Sequence, residues 1–349
     1  MQSLIHMAGG IALLLWGAYM VKTGMLRTFG VALKDFLSVR LKNRAIAMAS
    51  GTTLASLLQS SAATLIVASI QAEGFLTTNM AFATILGADF GSALMTRVLT
   101  FDLSFLSPLL IFIGTCLFFM RKADTRQGQF GRILIGLGII MLALSLIVAA
   151  TMPLRTSTEL APLFLESSHS PILAVLLGLC LGFGCFSSLA AVIITSGLVT
   201  AGVIPVSTGL WVALGADIES TILALITTMT ASRIGRRGPV ANTMWRAVTL
   251  SFTALLLATC PFIAEGFGAI PDSIIYFHVT LNLIISGTGL FIIKPFARIA
   301  DRIIPEKKAD AKTGGEAADL FAKENLISSG MSLNVARTEL QRITGDVRS

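Results

Sequence analysis

Seven stretches of the chain, residues 3–22, 77–97, 104–120, 133–152, 205–230, 247–265 and 274–294, stay apolar for about the 20 residues a helix needs to cross a bilayer core. Two further apolar stretches, 45–73 and 172–200, have a different texture. Their centres are crowded with small and hydroxyl residues: Gly51-Thr52-Thr53 and Gln59-Ser60-Ser61 in the first, Gly182-Phe183-Gly184-Cys185-Phe186-Ser187-Ser188 in the second. Such centres predict helices broken at depth, whose two arms enter and leave on one side. Irregular backbone is tolerated in a membrane where protein covers it or where it lines a cavity. The expected fold class is an all-α polytopic membrane protein with about seven spanning helices and two re-entrant helical hairpins.

The polar positions set the topology. Basic residues gather in segment 22–44 (Lys22, Arg27, Lys34, Arg40, Lys42, Arg44), segment 121–132 (Arg121, Lys122, Arg126, Arg132) and segment 233–246 (Arg233, Arg236, Arg237, Arg246). Loops rich in Lys and Arg stay on the cytoplasmic side, so all three segments are expected there. An even number of crossings must then separate residue 44 from residue 121, although three apolar stretches lie between them. A hairpin at 45–73 entered from inside meets that condition, and the same count between 132 and 233 makes 172–200 a hairpin entered from outside. Of the 17 basic residues before position 297, 15 then face the cytoplasm, Arg97 and Arg155 being the exceptions. The N-terminus is placed outside and the C-terminus in the cytoplasm. Hairpins entered from opposite faces, each followed by two spans, form an inverted repeat, a common plan of secondary transporters. The expected division is residues 1–121 as the first unit, 133–266 as the second, 274–295 as an extra span and 305–349 as a short polar cytoplasmic tail. Segment 22–44, basic and amphipathic, is expected to lie along the inner membrane surface.

Composition agrees and excludes other classes. The 349 residues are 54% hydrophobic and only 13% charged, with nine of the 26 basic and eight of the 19 acidic residues in positions 297–349. Mean hydropathy is +0.82. So little charge cannot cover a water-facing surface, which excludes a soluble enzyme and a disordered chain. The net charge of +7 is accounted for by topology and needs no nucleic-acid partner. Cys116, Cys180, Cys185 and Cys260 lie in apolar stretches without a CxxC pair and read as small hydrophobes. The first apolar run has no basic leader or small-residue cleavage site and reads as a retained span. The tail reads as a short surface helix or disorder.

A repeat is visible in the motifs. Ser60-Ser61-Ala62-Ala63 matches Ser187-Ser188-Leu189-Ala190-Ala191, and Leu86-Gly87-Ala88-Asp89 matches Leu214-Gly215-Ala216-Asp217. The spacing from Ser61 to Gly87 is 26 residues and from Ser188 to Gly215 is 27, so one insertion relates the two. A helix broken at depth presents free N–H groups and partial positive charge where its second half starts, a setting for an oxyanion, and serine hydroxyls add donors. The same hydroxyls accept, so they suit sodium as well; the bland alternative is that Ser and Gly merely let helices approach closely. Asp89 and Asp217 are carboxylates inside apolar spans, a functional signal by default, suited to a cation site, a proton relay or a hydrogen bond to a hairpin. Glu219 stands where the first unit has Gly91, as a proton-titrating group or an ion-pair partner for a base such as Arg97. His278 and Asn282 lie one turn apart on the last span, as polar glue or as part of a site. Arg97, near a span end, is expected to snorkel. An intramembrane hydrolase using Ser187 or Ser188 with His278 finds no GxSxG elbow, and a duplicated serine pair beside a single histidine fits a two-sided ion site better, so the chain is expected not to be an enzyme.

Gln59-Ser60-Ser61-Ala62-Ala63-Thr64 followed by Gly87-Ala88-Asp89-Phe90-Gly91, with the degenerate second copy and the Phe277-His278 to Asn282 stretch, resembles the type II sodium/phosphate cotransporter family, closest to its bacterial branch, over roughly residues 1 to 300. The resemblance implies sodium-dependent movement of inorganic phosphate by alternating access, with both hairpins meeting near the membrane centre. It implies that Gln59, Ser60, Ser61, Ser187 and Ser188 contact phosphate or sodium, with sodium held through Gln59, Ser60 and Ser188. Thr64, Asp89, Asp217, Glu219 and Asn282 would build cation sites or support the hairpins. No cofactor is implied beyond sodium as coupling ion; the partners are phosphate, sodium and the bilayer, with a homo-oligomer left open. Two departures stand out: Phe186 replaces the second Gln, and Glu219 replaces the usual Gly. The same architecture also suits proton coupling, another oxyanion such as sulfate or arsenate, or a phosphate sensor without flux.

Overall fold

The structure, a computed structural model, describes residues 43–58, 60–99, 106–120, 125–151, 170–185, 187–200 and 202–305, with parts of 5–28. Gln59, Phe186, Arg155, most of segment 22–44 and the tail from residue 306 lie outside the described residues. Every regular element among the described residues is helical. After a first apolar helix, α1 (Ala8–Val21), come the arms of the first hairpin, α2 (Arg44–Leu58) and α3 (Ser60–Ala72), and then α4 (Thr78–Leu99), α5 (Leu106–Met120) and α6 (Arg126–Thr151). The second hairpin is α7 (Pro171–Cys185) and α8 (Ser188–Thr200), followed by α9 (Val206–Thr227), α10 (Arg233–Thr259), the short α11 (Phe262–Gly268) and α12 (Ser273–Ile303). By length and apolar character α9, α10 and α12 suffice to cross a membrane, and α1, α3, α5, α7 and α8 are shorter apolar helices. Large apolar side chains such as Phe112, Phe119, Phe252 and Phe291 face outward, a surface suited to lipid and not to water.

Both predicted hairpins are broken helices. Their arms have 15 and 13 residues in each case, and the helix that follows has 22 in each. Arms of that length reach about 20 Å, short of the roughly 30 Å of a bilayer core. The second arms end in the same way. Gly74 (φ 82°) and Gly202 (φ 70°) adopt the left-handed conformation open to glycine, Gly74 N–H bonds Gln71 O as Gly202 N–H bonds Val199 O, and Phe75 N–H bonds Ile70 O as Val203 N–H bonds Leu198 O. These matching caps put the inserted residue at or near the break. Helix starts align Ser60 with Ser188, leaving Ser187 as the extra residue that caps α8 by accepting the Ala190 N–H at 3.3 Å.

The first arm of each hairpin lies directly on the 22-residue helix of its unit. Gly51 of α2 meets the carbonyl of Thr84, and Gly87 of α4 meets that of Met48; Gly178 of α7 meets the carbonyl of Val212, and Gly215 of α9 meets that of Val175. Any Cβ at these four glycines would overlap main chain, so the small residues set the helix spacing. The units also touch crosswise, α3 against α9 and α4 against α8, while α10 and α12 lean on both.

One element differs from expectation in a way that matters. Residues 247–259 of the predicted span 247–265 are the second half of a 27-residue helix that begins at Arg233, and the span's last residues lie beyond its end at Thr259, in part in α11. Ser232 starts it, its hydroxyl accepting the Gly235 N–H. Pro239 removes one rung, and the neighbouring Gly238 N–H is taken by Gln71 Oε1 of α3 at 3.1 Å. Segment 233–246, expected between two spans, is itself helical, and Arg246 lies about 13 Å further along the helix than Arg237.

Candidate functional site

The polar centre is assembled from both hairpin units and from α10 and α12. Ser60, at the start of α3, donates its hydroxyl proton to Asp89 Oδ1. Asp89 Oδ2 accepts Asn242 Nδ2 at 2.9 Å and meets Arg246 Nη1 at 3.1 Å. Across the centre, Asp217 Oδ1 pairs with Arg246 Nη2 at 3.0 Å and accepts Asn282 Nδ2 at 3.0 Å, and its Oδ2 lies 3.1 Å from His278 Nδ1. The two aspartates at equivalent repeat positions thus share one guanidinium.

That guanidinium is fully used. Nε donates to Thr221 Oγ1 at 2.7 Å, Nη1 serves Asn282 Oδ1 (2.9 Å) and Asp89, and Nη2 serves the Asp217 carboxylate and main-chain oxygen. These contacts match the five N–H donors of an arginine. Arg246 is only 1% exposed, and Asp89 and Asp217 are 8% and 1% exposed. Ion pairs this deep persist only when well paired and hydrogen-bonded, and the planar fork of arginine suits a position between two carboxylates.

Several expected residues converge here: Ser60, Asp89, Asp217, His278 and Asn282. His278 and Asn282, one turn apart, both hold Asp217 and so belong to this centre. Ser61 and Ser188 are half-buried in the first turns of α3 and α8, and Ser187 caps α8, so these three stay outside the ion-pair network. The Thr64 hydroxyl, both Glu219 oxygens and Asn242 Oδ1 are buried without a hydrogen-bond partner among the described residues. Arg97 lies apart from all of these, paired with Asp272 at 2.9 Å and seated 5.0 Å above the Tyr276 ring. Gln59 and Phe186 lie outside the described residues.

Arg246 and Asn242 are additions that the charge pattern hid. Arg246 was expected on the cytoplasmic side as part of a basic segment; the structure buries its side chain between two acids. The helical register holds the clue, since Asn242 and Arg246 are one turn apart on the face of α10 that also buries Gly235, Gly238, Pro239 and Leu250.

An all-helical membrane protein built from two equivalent broken-helix units around a shared charge pair is defined by these features. Residues 13–149 and 153–287 match the Na+/Pi-cotransporter family. The chain belongs to that family. It is 37% identical over 312 residues to YjbB of Escherichia coli (strain K12), a protein whose name assigns it provisionally to inorganic phosphate export. It is 36% identical over 315 residues to YjbB of Salmonella typhimurium, and in both cases 88% of this chain and 57% of the relative are covered. The chain therefore spans little more than half the length of these relatives. YqeW of Bacillus subtilis, an uncharacterized protein, is 23% identical over 309 residues, with 88% of this chain and 100% of YqeW covered. No solved structure matches the chain.

Proposed function

We propose that this chain moves inorganic phosphate across the cytoplasmic membrane, coupled to sodium, by alternating access around the two hairpins. One observation carries the reading: two broken-helix units with equal helix lengths meet at a buried centre where their equivalent aspartates share Arg246. Membership of the Na+/Pi-cotransporter family and the phosphate-export name of YjbB support phosphate as the cargo. In this reading the units are inverted in the membrane, residues 1–121 against 133–266, with the N-terminus outside and the C-terminus inside. The second arms α3 and α8 begin at the breaks and offer the phosphate their free N–H groups and the hydroxyls of Ser61 and Ser188; Ser60 and Ser187, which here serve Asp89 and the Ala190 N–H, join them when phosphate binds. Gln59 serves as a further ligand of phosphate or sodium in this reading. Asp89 holds the first tip through Ser60 and shares Arg246 with Asp217 of the second unit. A symport site runs in whichever direction the summed gradients favour, so uptake and the export named for YjbB are both accessible to it.

The coupling test is labelled-phosphate flux in proteoliposomes under an inward sodium gradient. Accumulation is expected to stop when choline replaces sodium; equal uptake in choline would remove sodium from the mechanism. For the site, Ser60→Ala and Ser188→Ala each delete a hydroxyl able to serve a charged ligand, worth about 1.5–3 kcal/mol or roughly tenfold to a hundredfold in affinity. Half-saturation for phosphate is expected to rise by that factor in each variant. Unchanged half-saturation in both would place the phosphate elsewhere.

A further inference from the structure

We infer that Glu219 is a ligand of the coupling cation, taken as sodium, and that it binds this ion in the second unit alone. The inference rests on the transport reading above and gives it a specific ion site.

Three acids are buried among the described residues: Asp89, Asp217 and Glu219. Arg246 and its hydrogen-bonded neighbours satisfy the first two. Glu219 is 0% exposed, and neither of its carboxylate oxygens has a hydrogen-bond partner among the described residues. A carboxylate in such a place costs several kcal/mol unless a counter-charge is supplied. With the arginine fork already spent, the carboxylate is neutralised either by a proton or by a bound cation, and the open lone pairs of both oxygens point to the cation. Two oxygens with open lone pairs are hard donors of the kind an alkali cation takes.

The fold has made room for this side chain. Opposite it on α7 stands Gly182, where a Cβ would come within 2.7 Å of Glu219 Cγ and 2.8 Å of its Oε2. In the first unit the sizes are reversed: Gly91 takes the place of Glu219, Ala55 that of Gly182, and Gly91 lies directly on the main chain of Thr52. The carboxylate and the gap that holds it therefore occur together, in one unit. Helix α7 ends three residues after Gly182. A helix C-terminus presents carbonyl oxygens and partial negative charge, which makes an unneutralised acid there costlier and a cation more welcome.

Equilibrium binding of radioactive sodium to the purified full-length protein in detergent tests this without transport. Wild type is expected to show saturable binding. Glu219→Gln, nearly the same in shape, is expected to lose about tenfold or more in sodium affinity, since even outer partners of a metal site are worth about 10–100-fold. Gly182→Ala, which keeps the acid and fills its gap, is expected to weaken binding as well. Wild-type affinity in a monodisperse Glu219→Gln preparation overturns the inference, and so does absence of saturable sodium binding in wild type. Phosphate counterflow by the same wild-type preparation separates the two levels: exchange without sodium binding sinks the Glu219 site alone, and sodium binding without exchange sinks the transport reading alone.

Discussion

Replacing Arg246 with methionine is expected to abolish phosphate flux and to lower the stability of the folded protein by about 3–5 kcal/mol, the usual cost of removing one member of a buried ion pair. The side chain that remains fills similar volume, so the loss is electrostatic. Asp89 and Asp217, 8% and 1% exposed, would be left with amide, hydroxyl and imidazole neighbours but no fixed cation. Lysine is expected to fail too, because a single ammonium with three donors cannot serve five acceptor contacts on α4, α9 and α12. Thermal unfolding in detergent and flux in proteoliposomes measure the two effects. Adding Asp89→Asn to Arg246→Met is expected to recover part of the stability, because the uncompensated charge is then smaller, while flux stays absent. An Arg246→Met protein as stable as wild type would mean that the two units are not held through this charge.

The second large effect is steric. Gly51→Ala and Gly178→Ala place a methyl against the carbonyl groups of Thr84 and Val212. These are backbone atoms in the middle of helices, and no side-chain rotation can relieve the overlap. The first arm has to move off its 22-residue partner, which carries the aspartate of its own unit one helical turn beyond the glycine contact. A loss at or above the upper end of the about 1–3 kcal/mol typical of overpacking is expected, together with loss of flux. Gly287 provides the control, since nothing lies within 4 Å of a Cβ built there; Gly287→Ala is expected to be neutral or slightly stabilising because alanine is the better helix former. Equal melting temperatures for Gly178→Ala and Gly287→Ala would show that the close approach of α7 and α9 does not set the fold.

Much of this arrangement is legible along the chain because it depends on local signals. The breaks between α2 and α3 and between α7 and α8 follow from runs of Gly and Ser inside apolar stretches, and the repeat is readable from two short motifs at nearly equal spacing. Asp89, Asp217, His278 and Asn282 stand out as polar residues at apolar positions. Arg246 does not, because the rule that sorts basic residues to the cytoplasm counts charges near span ends and is blind to where a helix starts. Moving the start of α10 to Arg233 turns a presumed loop residue into a core residue. The pairing of Gly182 with Glu219 was equally hidden. Each residue is ordinary in its own stretch, and only the contact of α7 with α9 shows that the absence of one side chain makes space for the other. The exact match of glycines to carbonyls across α2–α4 and α7–α9 is likewise a property of the assembled helices.

In the proposed function the two hairpin units form a route for phosphate. Counterflow measures this most directly: purified protein in liposomes loaded with unlabelled phosphate, with a trace of labelled phosphate and equal sodium outside and inside. Transient accumulation of label is expected in the loaded liposomes and none in unloaded or protein-free ones. Label entering loaded and protein-free liposomes at the same rate would contradict it.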